Sequence, residues 1–170
     1  MLGSLPAGLN AAVLVLLHLT PLHPSLLPTI LARKTMLRVK SAEDGDALEA
    51  GTVYVAPPDA HLRVDGAHLR LDRVTGVVHH VRPSADVLLE SLAERNSTHC
   101  VAVVLSGTGV DGAEGAAVLR RAGGTVLAQS EATSEHFGMP GAAILAGGVT
   151  EVLALDEIGP AVVGFVARDA

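Results

Sequence analysis

Two residues that could move a proton each follow an apolar run of the sequence. His18 comes directly after AAVLVLL at 11–17, and Asp111 lies in LSGTGVDGAEG at 105–115, just after VAVVL at 101–105. Histidine can gain or lose a proton near neutral pH, and an acid beside it fixes its tautomer and stabilises the imidazolium form. The two residues would therefore supply two members of a Ser-His-Asp arrangement if the fold brings them together.

Both residues also allow simpler interpretations. A histidine at the end of a strand can cap a backbone carbonyl, and Asp111 can cap the helix predicted at 112–122. The sequence GTGVDG at 107–112 also spells G-x-G-x-x-G, with Glu131 beyond the next strand, which is the order of a dinucleotide-binding loop. Only about sixty residues follow this loop, too few for a second nucleotide-binding half. Nucleotide binding at 107–112 stays an alternative.

The elements that must position these residues alternate between β-rich runs and helical patterns. This alternation predicts an α/β fold, a doubly wound and mostly parallel sheet with flanking helices, in which functional groups gather at the carboxyl ends of the strands. HLRVDGAHLRL at 61–71 predicts a small antiparallel hairpin around Asp65–Gly66, and Ser84 is a predicted N-cap. We predict strands at 11–17, 37–40, 52–56, 101–105, 125–129 and 151–155, and helices from Pro24, at 83–96, at 112–122, near 140–146 and from about 157.

Composition excludes several classes of function. The chain has 170 residues and a formal net charge of -6, with its 12 basic residues scattered, so no nucleic-acid partner is expected. Aromatic residues make up only 2%, so the core must be aliphatic. The run at 11–17 is far shorter than the roughly 20 residues that span a bilayer, and no basic residue precedes it as in a secretory signal. We therefore expect neither membrane insertion nor secretion.

The remaining candidate residues favour structural roles. The single cysteine, Cys100, cannot form an internal disulfide, and its apolar setting favours a buried thiol in a reducing cytoplasm. His79 and His80 have no Cys, Asp or Glu partner at ligand spacing, so no metal site is expected and a solvated strand face is predicted for them. Glu131 and His136 are predicted to be surface residues.

Several stretches together resemble one family. VLVLLHLTP at 13–21, DGDALEAGTVYVAPPDAHL at 44–62, RPSAD at 82–86, SGTGVDGAEG at 106–115 and FGMPGAA at 137–143 are similar, in order, to the CheB-type chemotaxis protein-glutamate methylesterases. The resemblance runs from about Leu5 to the end of the chain. It implies a cytoplasmic hydrolase of chemotactic signal transduction and adaptation, which removes methyl esters from chemoreceptor glutamates, deamidates receptor glutamines and needs no cofactor.

The same resemblance assigns roles to particular residues. It implies that His18 is the base and Asp111 the acid of a catalytic triad, and that Thr108 and Gly109 support the oxyanion. Phe137 and Met139 in FGMPG are predicted to pack in the loop and core, with the substrate groove as the alternative place for Met139. Thr108 stands where the family usually has methionine. In the family the nucleophilic serine lies in a G-x-S-x-G-G turn after an N-terminal strand, and neither Ser4 nor Ser106 stands in such a turn. The nucleophile is therefore unassigned.

The resemblance also predicts the domain organisation and the partners. Residues 1–170 are expected to form one methylesterase-like domain that is incomplete at its N-terminus and has no receiver domain. The expected partners are the cytoplasmic helices of methyl-accepting chemoreceptors and a separate response regulator. A receptor-binding domain without catalytic activity, whether a pseudoenzyme or a truncated gene product, is the alternative from another functional class.

Overall fold

The computed structural model describes residues 1–18, 25–94 and 97–168. Strands and helices alternate along most of this length, as the sequence pattern predicts. The strands are β1 (Val13–Val15), β2 (Arg38–Ser41), β3 (Thr52–Val55), β4 (His61–Asp65), β5 (His68–Asp72), β6 (Val101–Val104), β7 (Thr125–Gln129) and β8 (Glu151–Leu153). The helices are α1 (Leu27–Ala32), α2 (Ala85–Ala93), α3 (Ala113–Arg121), α4 (Gly138–Leu145) and α5 (Leu155–Arg168).

Six of the strands form two parallel sheets. One sheet has the order β1-β3-β2 and the other the order β6-β7-β8, with every pairing parallel. Strands β4 and β5 form an antiparallel hairpin with Gly66 and Ala67 at its turn. The predicted α/β class, with its mostly parallel sheet and a small hairpin at about 61–71, is therefore confirmed.

The two parallel sheets each end in a strand with an unpaired edge. Within the described residues β1 pairs only with β3, and β6 pairs only with β7. His18 follows β1 and Asp111 lies in the loop after β6, and these two side chains are in contact, so the two free edges lie on the same side of the molecule. All three residues of β1 are only half-buried, whereas β3 is buried throughout.

Helices cover both faces of the sheets, which is the doubly wound arrangement. On one face, Val53 and Val55 of β3 and Leu127 of β7 share a core with Ile158 and Val162 of α5. On the other face, β3 packs on the hairpin and α2, while β6 and β7 pack on α2, α3 and α4. The core side chains are almost entirely aliphatic, as the scarcity of aromatic residues requires. The shared core joins the two sheets into one structure.

Several boundaries differ from the predicted ones for identifiable reasons. The strand predicted at 11–17 begins at Val13 and ends at Val15, and its early end follows from Pro57 and Pro58 after β3, which have no N–H to donate. The last helix begins at Leu155 rather than near 157, because the Glu157 carboxylate accepts the Ala154 N–H at 2.9 Å and starts the helix earlier. The start of the helix predicted from Pro24 lies outside the described residues.

The prediction of a strand face for His79 and His80 is wrong. Val78 and Val81 bond to each other across a tight turn, and the two histidines form its tip with φ angles of 47° and 66°. A strand cannot adopt such positive φ angles. His79 instead lies against the first turn of α2.

Candidate active site

The structure brings the two predicted proton-transfer residues together. His18 Nε2 lies 2.7 Å from Asp111 Oδ2. Asp111 is 3% exposed, while about a quarter of the His18 side chain (27%) remains accessible. The other ring nitrogen, Nδ1, makes no hydrogen bond to any described residue. It is therefore the atom of His18 that can accept a proton from a further group.

Asp111 does not cap its own helix. Gly112 occupies the N-cap position of α3, and the Asp111 carboxylate instead binds the N-terminus of α2. Its Oδ2 accepts the Ala85 N–H at 2.6 Å, and its Oδ1 accepts the Asp86 N–H at 3.3 Å. The alternative in which Asp111 caps the helix at 112–122 is thus wrong, since the carboxylate binds the free N–H groups at the start of α2 instead.

Asp86 provides the reciprocal contact. It lies in the first turn of α2, and its Oδ1 accepts the Gly115 N–H at the start of α3 at 2.7 Å. The start of α2 therefore binds the carboxylate of Asp111 from the loop before α3, and the start of α3 binds the carboxylate of Asp86 from α2. The second oxygen of Asp86 is buried and has no hydrogen-bond partner among the described residues; His79 Nε2 is 3.3 Å away, but not in hydrogen-bonding geometry.

The two carboxylates respond oppositely to their surroundings. Burial would raise the pKa of Asp111, but hydrogen bonds from His18, Ser84, Ala85 and Asp86 outweigh burial and hold that pKa below its usual range. The pKa of Asp86 is raised, mainly by burial and further by the nearby Asp111 carboxylate, although the Gly115 N–H opposes the shift. Asp111 is thus the group that the structure favours as an anion beside His18.

The glycines of the loop allow the two helices to approach. A Cβ at Gly115 would lie 2.8 Å from Asp86 Cα, and one at Gly112 would lie 3.3 Å from Ala85 Cβ, at a residue with φ +91°. The Gly107 N–H donates to the His136 carbonyl at 2.9 Å, so it does not point at a ligand. Because the Asp86 carboxylate also occupies the N-terminus of α3, the geometry does not favour a dinucleotide at 107–112.

Two buried residues that sequence reasoning did not assign to the site support Asp111. Ser84 takes the predicted N-cap position of α2, yet its hydroxyl does not cap the helix; it donates to Asp111 Oδ1 at 2.6 Å. The Ser84 N–H in turn donates to His61 Nδ1 at 3.2 Å. The sequence signal for these contacts was the segment RPSAD at 82–86, which places a serine and an acid at the start of a helix. The partners of these two residues are distant in sequence, so the segment alone did not identify them.

The loop after β6 carries the other predicted residues. Thr108 and Gly109 are exposed, and Gly109 has a φ of +89°. Met139 is half-buried; its N–H donates to the Gly107 carbonyl at 2.8 Å, and a Cβ at Gly107 would lie 2.5 Å from its sulfur. These residues lie on the same loop as Asp111 or directly against it.

The remaining candidates make no contact with His18 or Asp111 among the described residues, although the backbone of His136 bonds to the loop after β6. Glu131 and His136 are exposed, as predicted. Cys100 is half-buried, and burial raises the pKa of its thiol. Across residues 1–18, 25–94 and 97–168, no cluster of three or more potential metal ligands occurs. None of the helices in the same ranges has the length and hydropathy needed to cross a bilayer.

Comparison with known proteins decides the family. The family model for CheB methylesterase matches residues 1–162. The chain belongs to the CheB methylesterase family. The CheB methylesterase catalytic domain of Thermotoga maritima has the same fold, with a TM-score of 0.90 and 33% identity, over 96% of this chain and 88% of that domain.

Three relatives of this family have similar sequence identities to this chain. A protein-glutamate methylesterase/protein-glutamine glutaminase of Maricaulis maris is 38% identical over 96% of this chain, and one of Caulobacter vibrioides is 40% identical over 94%. A third, from Halobacterium salinarum, is 39% identical over 99%. The chain spans 41%, 47% and 50% of these relatives, respectively, which is about half their length.

Proposed function

We propose that this chain is the catalytic portion of a protein-glutamate methylesterase that hydrolyses glutamyl methyl esters on chemoreceptors and deamidates receptor glutamines. The observation that carries the proposal is the contact between His18 and the buried Asp111 carboxylate at the carboxyl ends of β1 and β6. The names of the relatives and the fold of the Thermotoga maritima domain support the same activity.

In the proposed reaction, His18 moves protons and Asp111 holds it in place. Asp111 Oδ2 accepts the Nε2–H of His18, which leaves Nδ1 to take the proton of a serine hydroxyl. The serine oxygen attacks the ester carbonyl carbon, and the bond to the methoxy oxygen breaks as His18 returns the proton to release methanol. Water then attacks the acyl-serine with His18 as base, and the products are the glutamate carboxylate and free serine. With a glutamine side chain, ammonia leaves instead.

The nucleophile is proposed to arrive on a strand that lies between β1 and β6. Both of these strands have an unpaired edge within the described residues, and both point their carboxyl ends toward the His18–Asp111 pair. The half-buried aliphatic side chains of β1 would be covered by such a neighbour. A serine in a G-x-S-x-G-G turn at the end of this added strand would lie between the ends of β1 and β6, beside His18 Nδ1.

The loop after β6 is proposed to bind the reacting ester. The backbone around Thr108 and Gly109 is exposed and adjoins Asp111, so its N–H groups can support the oxyanion of the tetrahedral intermediate. Met139 holds this loop through the Gly107 carbonyl and is proposed to line the groove for the receptor side chain. We further propose that the protein acts in the cytoplasm on receptor helices and that a separate response regulator controls it.

The experiment adds a serine nucleophile on a strand before Met1. The chain is compared with a fusion in which a strand, a G-x-S-x-G-G turn and a helix precede Met1, and methanol release from methylated receptor is measured for both. We expect release from the fusion, and loss of that release in its His18→Ala variant. The exposed His68 provides a matched control, and its alanine variant should retain activity. Release that persists in the His18→Ala fusion would overturn the proposal.

A receptor-binding module without catalytic activity is the second candidate. It is favoured by one observation: no serine, threonine or cysteine side chain in the described parts of the chain hydrogen-bonds to His18. Binding to receptor helices with no methanol release from the fusion would support this candidate. Release that depends on His18 would exclude it.

A further inference from the structure

Ser84 is buried between two residues that fix its hydroxyl and its backbone N–H. None of its surface is exposed (0%). Its hydroxyl donates to Asp111 Oδ1 at 2.6 Å, and its backbone N–H donates to His61 Nδ1 at 3.2 Å. A buried hydroxyl that donates to a buried carboxylate makes a charge-assisted hydrogen bond, which is stronger and more directional than a neutral one.

His61 is fully buried and is bonded at both ring nitrogens. Its Nδ1 accepts the Ser84 N–H, so the ring hydrogen lies on Nε2, which donates to the Gly76 carbonyl at 2.9 Å. This arrangement fits the neutral ring, because a hydrogen on Nδ1 would face the Ser84 N–H. His61 therefore anchors the backbone of Ser84 from the side opposite to Asp111.

We propose that Ser84 is a positioning residue of the active site, which holds Oδ1 of Asp111 in the interior so that Oδ2 faces His18, and that His61 holds Ser84. The inference rests on the proposed function for its effect on catalysis. Without the Ser84 hydroxyl, the Asp86 N–H at 3.3 Å is the remaining donor to Oδ1 among the described residues, while the Ala85 N–H still holds Oδ2, so the carboxylate is held less firmly against rotation about its Cβ–Cγ bond. Rotation would weaken the bond to His18 and the orientation of its ring.

The first experiment follows the Asp111 carboxyl carbon by NMR as pH is lowered, and it needs no catalysis. Ser84→Ala and Ser84→Cys should each move the titration of Asp111 to higher pH, because the anion loses a donor; Cys also fills the space of the serine. Ser84→Thr keeps the hydroxyl at a residue whose extended backbone (φ −113°, ψ 135°) suits a β-branched side chain, and should restore the original midpoint.

Ser91 provides a matched control in the same helix. It is also buried (1% exposed), and its hydroxyl donates to the Leu88 carbonyl and accepts the Val64 N–H, without contacting Asp111. Ser91→Ala should leave the Asp111 titration unchanged even where it lowers stability. The titratable groups around Asp111, which are His18 and Asp86 with His79 beside Asp86, are the same in all these variants.

The second experiment uses the serine-bearing fusion described above. Ser84→Ala should lower kcat for methanol release by about 10- to 100-fold with KM unchanged, which is the effect of losing one hydrogen bond to a charged group. Ser84→Thr should recover most of the rate. Equal titrations of Asp111 in the Ser84→Ala and Ser91→Ala variants would overturn the positioning role. A shifted titration in a fusion with no His18-dependent release would keep this role and reject the proposed function.

Discussion

Replacing Gly115 by alanine tests why glycines lie in the loop before α3. An added Cβ would come within 2.8 Å of Asp86 Cα, of the Asp86 carbonyl oxygen and of Leu89 Cβ. Two of these three atoms belong to the backbone of α2 and cannot rotate away. The two helices must therefore separate, and the bond from the Gly115 N–H to Asp86 Oδ1 must lengthen.

The expected change in the free energy of unfolding combines one favourable and two unfavourable contributions. Alanine in a helix gains about 1 kcal/mol over glycine. Overpacking costs about 1–3 kcal/mol, and weakening a hydrogen bond to a charged group adds up to about 1.5–3 kcal/mol. The net loss of unfolding free energy should be roughly 2–4 kcal/mol, and for a chain of this size each kcal/mol lowers Tm by about 2–4 °C.

Gly164 in α5 is the control for this experiment. A Cβ at Gly164 meets nothing within 4 Å, so Gly164→Ala should stabilise the protein by up to about 1 kcal/mol. Urea unfolding followed by circular dichroism measures both variants. Equal stabilities of the Gly115→Ala and Gly164→Ala proteins would refute the view that this glycine serves the contact between α2 and α3.

Two further predictions concern carboxylates with shifted pKa values. The pKa of Asp86 is raised in the folded protein. Ionisation of this carboxyl therefore lowers the free energy of unfolding as pH rises past its pKa in the unfolded chain, which is about 3.9. Asp86→Asn, which keeps an oxygen for the Gly115 N–H, should therefore be more stable than the parent in urea unfolding at pH 7, and this advantage should disappear near pH 3; equal stability at both pH values would contradict it. Hydrogen bonds from the Thr75 hydroxyl and the Thr75 and Val74 N–H groups lower the pKa of the half-buried Asp72 to about 2. Thr75→Val should raise that pKa in an NMR titration, and an unchanged midpoint would show that the hydroxyl is unimportant.

The sequence predicted the elements and the end of the sheet where the site lies, but not the pairing of groups within the site. Alternating apolar runs were enough to predict the parallel strands, and the carboxyl-end rule predicted that His18 and Asp111 would lie at one edge. Local pattern also placed the start of α2 correctly at Ser84. These are features that depend on neighbouring residues in the chain.

The errors came from contacts between residues distant in sequence. Ser84 and Asp111 each stand before a helix, so local reasoning predicted Ser84 as an N-cap and left capping of the following helix open as an alternative role for Asp111. In the structure the Asp111 carboxylate caps α2 and the Ser84 hydroxyl binds Asp111, because α2 and α3 approach with their N-termini together. Which helix receives which carboxylate depends on that packing, and no local signal in a single sequence reports it.

The most direct test of the central claim is the rate of labelled methanol release by the serine-bearing fusion and by its Asp111→Asn variant. Asparagine keeps the size of the side chain but removes the anion that holds His18, so we predict a fall in kcat of about 10³- to 10⁴-fold. Asp156→Asn, at an exposed position of α5, serves as the control and should retain full activity. A fusion that releases methanol equally fast with asparagine at position 111 would contradict the assignment of the His18–Asp111 pair.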